Sequence, residues 1–134
     1  MPEIVDFLNH GAKHITPAVA EHVLKHLPLW KVEFTQFSDP KYPHLVDQLE
    51  FLADVVEDFA EGAYKELPYT CYAKAVFVLV YAHKKAGIIP DYVPAHCHAD
   101  HSSLVRALLM QNEKAFTLYA AVQGIDWSKV TNEP

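Results

Sequence analysis

The sequence predicts an all-α, single-domain bundle of four to five helices, with a proline-bracketed helical hairpin in its C-terminal half. Three observations carry this reading. Apolar residues recur at three- and four-residue spacing through most of the chain, the signature of helices with one buried face. Prolines punctuate the chain between those runs. A chain of 134 residues, 51% of them hydrophobic, is long enough for one core and too short for two.

Residues 1–43 supply N-terminal helices and an aromatic connection. Ile4, Val5, Phe7 and Leu8 form a short amphipathic stretch that stops near Gly11. Thr16 followed by Pro17 reads as a helix N-cap with proline at the first helical position. Val19, Val23, Leu24 and Leu27 then keep helical spacing until Pro28, where this second helix is expected to end. Residues 29–37 suit either a strand or a helix, and the reading is an irregular or extended connection packed by its aromatics. His22 and His26 are four apart on one helical face, a spacing that can grip a metal; with no carboxylate or thiol beside them, a solvated polar face is preferred.

After Asp39-Pro40 and Tyr42-Pro43, a third helix is expected from about His44 to about Ala63, burying Leu45, Leu49, Leu52, Val56 and Phe59. Its other side holds Asp47, Glu50, Asp54, Glu57, Asp58 and Glu61. No matching Glu-x-x-His lies elsewhere, so this row reads as a solvated acidic face rather than a two-metal carboxylate ladder. Leu67-Pro68 restarts the chain, and the segment from Tyr69 to Lys85 is apolar nearly all round, which makes it the expected central helix. An all-round apolar helix in so short a chain calls for much cover, which predicts a homo-oligomer or another protein partner.

Chemistry concentrates between Gly87 and Arg106. Pro90 and Pro94 fix their own φ and push the residues before them into extended backbone, so Asp91 sits on a stiff bracket. His96, Cys97, His98, Asp100 and His101 follow, and an extended backbone would set His96 and His98 on one side, with His101 closing a three-nitrogen set for a divalent metal such as zinc. Three protein ligands and a water form the open arrangement of a hydrolytic metal. The alternative makes Asp91 and Asp100 structural: with Pro90 and Pro94 they would hold the loop, each carboxylate accepting backbone N–H bonds, Asp100 or Ser102 as the cap of a last long helix reaching Gly124.

The stretch Glu57 to Pro68, with its Gly62-Ala63-Tyr64-Lys65-Glu66-Leu67-Pro68 ending, and the later Ile88-Ile89-Pro90-Asp91-Tyr92-Val93-Pro94 resemble the corresponding segments of the YkvA-like family of small bacterial helical proteins, a domain of unknown function. The resemblance covers about residues 56–127. It implies a helical hairpin in an all-α domain, in proteins that are soluble or membrane-associated. Cys97 and Asp100-His101 stand where that family usually has a glycine and paired aspartates, so the imidazoles are this chain's own addition.

The net charge of -6, with Lys and Arg scattered, disfavours a nucleic-acid partner. Two cysteines and no secretory leader predict a reducing compartment: the chain is expected to be cytoplasmic or peripheral to the inner membrane. Nucleotide-binding glycine motifs and a Gly-x-Ser-x-Gly elbow are missing. Two readings stand. One is a non-catalytic interaction module that binds a protein partner or a membrane surface through its apolar helix and Trp30, Phe34, Phe37, Tyr69 and Tyr72. The other is a divalent-metal-binding protein, or a metal-assisted hydrolase, built on residues 91–101.

Overall fold

The computed structural model describes residues 2–37, 42–83 and 94–130, and all regular structure among them is helical. The helices are α1 (Pro2–Ala12), α2 (Pro17–Phe34), α3 (Leu45–Glu61), α4 (Tyr69–His83), α5 (Pro94–Gln111), α6 (Glu113–Gln123) and the single turn α7 (Trp127–Val130), with a 3₁₀ turn at Thr35–Phe37. One contiguous core runs through them, from Leu8 in α1 to Val130 in α7.

Helix α2 begins as its sequence dictates: the Thr16 hydroxyl accepts a hydrogen bond from Val19 N–H at 3.2 Å, and Pro17 takes the position where a missing N–H costs nothing. It does not end at Pro28. The helix continues to Phe34, so residues 29–34 are helical rather than an extended connection. Proline inside a helix costs roughly 3 kcal/mol. Here the ring lies on the exposed side, while Leu27, Trp30 and Phe34 are buried on the other. Each of those side chains contributes about 1.5–3 kcal/mol on leaving water, enough together to carry the helix through.

Helix α3 ends at Gly62, which adopts φ 80°, a left-handed conformation that glycine accepts without strain, and lets Ala63 N–H return to the Asp58 carbonyl at 2.9 Å. Its predicted stripe is confirmed: Leu45, Leu49, Leu52 and Val56 are fully buried, with Phe59 packed against the same core.

Helix α4 is the centre of the bundle. Ten of its 15 residues are buried, and it packs against α1, α2, α3 and α5. Its cover therefore comes from its own chain, and its burial does not require a second copy. On one flank Phe7 of α1 meets Phe77 and Tyr81 edge-on, at ring separations of 5.5 and 5.6 Å.

The last long helix is two. The α-helix breaks at Asn112, whose backbone leaves helical geometry (φ -122°, ψ 30°) and whose side-chain amide donates to the Leu108 carbonyl. This break, with the turn α7, takes the helix count among the described residues above the four to five read from periodicity, which cannot see a one-residue kink between two runs of like pattern. After the kink, Phe51 of α3 meets Phe116, Tyr119 and Trp127 edge-on, which fastens α6 and α7 to the bundle.

Candidate functional site

Pro90 and Asp91, the rigid part of the bracket read from sequence, lie outside the described residues, as do residues 84–93 generally. Helix α5 starts at Pro94. Pro94 is thus the first residue of a helix, a position that suits its fixed φ, and the rest of the bracket lies outside the described residues. Asp100 consequently falls in the helix interior, two turns from its start, and is not the helix cap that the sequence suggests.

The helical backbone also changes the metal geometry. Positions 96 and 98 stand about 200° apart around a helix axis, where extended backbone would have put them on one side. His101 is buried, 2% exposed, with its ring edge-on to Tyr81 of α4 at 5.4 Å. It faces the core. Among the described residues no group of three or more His, Cys, Asp or Glu side chains converges as metal ligands. His22 and His26 lie ring to ring at 4.5 Å on the exposed side of α2, the solvated face expected of them.

The aromatic residues read as interface anchors are mostly core. Trp30, Phe34 and Tyr72 are buried; only Tyr69 among those with a described side chain is well exposed. Trp30 stacks on His83 at 4.0 Å, and His83 Nδ1 lies 2.9 Å from Glu33 Oε2, so the end of α4 is clamped to α2.

The acidic side of α3 is solvated only in part. Asp47, Glu50 and Glu61 are exposed, but Asp54 and Glu57 both bind the Lys31 ammonium of α2, with Lys31 Nζ 3.1 Å from Asp54 Oδ1. Burial works against that charge, yet the two carboxylates outweigh it and raise the Lys31 pKa above its ordinary value. One turn on, Asp58 accepts a hydrogen bond from the Tyr119 hydroxyl of α6. Desolvation, then the carboxylate partner, pushes the phenol well above its usual range. These groups are saturated by one another, which makes them a strut between helices and not a site awaiting a ligand.

What sequence reasoning missed is a groove beside α1. One hollow, about 450 Å³, is lined by Ile4 and Val5 of α1 and by Ser103, Arg106, Ala107 and Met110 of α5. A second, also about 450 Å³, is lined by Asn9 and Ala12 of α1, by Lys13 in the turn that follows, and by Tyr69, Ala73 and Lys74 of α4. They adjoin where Lys74 of the second hydrogen-bonds Gln111 of the first, at 3.4 Å. The floor is apolar, and Met110 is 61% exposed at its edge. Three cations, Lys13, Lys74 and Arg106, border the two hollows, and no carboxylate does among the described residues. Two buried polar atoms of residues that line the hollows, Arg106 Nε and Asn9 Oδ1, lack a hydrogen-bond partner among the described residues. The cations come from the turn after α1, from α4 and from α5, so nothing in local sequence marks them as neighbours.

No family model, no curated protein and no solved structure matches the chain. No helix among the described residues is long and apolar enough to cross a membrane.

Proposed function

We propose that this chain is a non-catalytic helical interaction module that binds a protein partner through the groove beside α1. The observation that carries the reading is the groove's composition: an apolar floor, exposed Met110 and Tyr69 at its rim, and the cations Lys13, Lys74 and Arg106 along its border. Apolar contact with a few placed polar groups is what a recognition surface needs. The helical hairpin of the YkvA-like family, formed by α4, α5 and the segment between them, is part of the same proposal.

A photoreactive phenylalanine analogue placed at Met110, against the same group at exposed Glu50 of α3, tests the reading. A crosslinked protein found from Met110 alone, which rebinds when purified and rebinds less well to Met110→Glu, supports the module. Equal yields from both positions, or rebinding indifferent to Met110→Glu, overturns it. The competing divalent-metal reading is tested on the same protein by zinc calorimetry: one site at neutral pH, lost in His96→Ala and in His98→Ala, would favour residues 91–101 over the groove.

A further inference from the structure

The groove has a length and a charge pattern as well as an apolar floor. Arg106 borders the hollow beside Val5, and Lys13 and Lys74 border the other. At about 1.5 Å rise per residue, the stretch of α1 from Val5 to Ala12, which Lys13 directly follows, spans about 10.5 Å, matching the roughly 10.5 Å between positions i and i+7 of a helix. Asp6, the acidic residue of α1 whose side chain is described, lines neither hollow. In a chain of net charge -6 this is a local reversal of sign. Arg106 carries a permanent positive charge at the border of the hollow beside Val5, where a partner's carboxylate would find a charge-assisted donor.

We infer that the groove takes an acidic amphipathic helix of a protein partner, carrying carboxylates two turns apart that meet Arg106 at one end and Lys13 and Lys74 at the other. This rests on the groove reading above. Two hollows in line fit an elongated occupant better than a single small anion, which would fill one of them. A concavity between packed helices admits an inserted helix, whereas a bilayer surface meets a flat or convex face. Apolar residues of the occupant would lie on Ile4, Ala107, Met110, Ala12 and Ala73, and its carboxylates would set its register.

The test is fluorescence anisotropy of the full chain with two labelled helical peptides of about four turns. They share their apolar residues and carry either Glu or Lys at i and i+7. The Glu peptide should bind, more weakly as salt rises, and about tenfold more weakly to Arg106→Gln and to Lys13→Gln. Lys13 is exposed, so its variant keeps the test valid should Arg106→Gln fail to fold. Equal binding of both peptides, or Glu-peptide binding indifferent to the two substitutions, overturns the inference. So does tighter, Arg106-dependent binding to phosphatidylglycerol vesicles, which would make the anion a lipid headgroup. Should neither peptide bind while the Met110 crosslink persists, this inference fails and the interaction module stands; loss of the crosslink as well removes both.

Discussion

Gly11 of α1 lies directly against the ring of Phe77 in α4: a Cβ at position 11 would come within 2.2 Å of Phe77 Cζ. Alanine is favoured over glycine inside a helix by about 1 kcal/mol. The overlap reverses that preference, because Phe77 is buried and packed against Phe7 and Tyr81. Gly11→Ala should therefore destabilise by about 1–3 kcal/mol, the usual cost of overpacking. Phe77→Ala should cost about 3–5 kcal/mol as a cavity. Combining the two should be less harmful than their sum, since the smaller side chain makes room for the new methyl, and urea melts of the three variants would show it.

Pro28→Ala should raise stability by about 2 kcal/mol. The proline is exposed on α2, so its removal sacrifices little packing and restores the N–H that the helix lacks at that position. A lower melting temperature in this variant would mean that Pro28 itself is needed to seat Trp30 and Phe34.

Tyr119→Phe keeps the ring against Phe51 and Tyr64 but deletes the hydrogen bond to Asp58. The expected loss is about 1–2 kcal/mol, typical of a bond to a charged acceptor. Asp58→Asn in the same background should then cost little more, and a double-mutant cycle giving no coupling would show the pair to be idle.

Alkaline pH should unfold the protein earlier than its composition suggests. Burial pushes the Cys71 thiol up to about 12, so above pH 9 the unfolded thiol ionises while the folded one keeps its proton. The folded state then binds more protons, and stability falls with rising pH by up to about 1.4 kcal/mol per unit. Tyr119 acts with the same sign above 10, and the Lys31 contribution, present below 10.5, is lost as pH rises through its raised value. Denaturant midpoints should drop from about pH 8 to about pH 10. Cys71→Ala should drop distinctly less, and native Cys71 should resist alkylating reagents until the chain unfolds.

Helix existence and the identity of the central helix were legible in the sequence because they depend on local matters: the spacing of Leu45, Leu49, Leu52 and Val56, the Thr16-Pro17 cap, and the lack of any polar face in Tyr69–His83. Such patterns act within a few residues, and burial of the stripe they create follows whatever the partners are. Boundaries were less legible. Pro28 has the chemistry of a helix end, and only the burial of Trp30 and Phe34 by α3 and α4 overrides it. At the start of α5, Pro94 suits a bracket or a first helical turn equally well, and Asp100 suits a cap only if the helix waits for it. The pairing of charges was decided by tertiary structure alone. Lys31 meets Asp54 and Glu57 across more than twenty residues, and Lys13, Lys74 and Arg106 come to one groove from the turn after α1, from α4 and from α5. Periodicity says which side of a helix is wet; it does not say which other wet side will be packed beside it. That depends on how the apolar stripes interlock around α4, a long-range condition that no local pattern encodes.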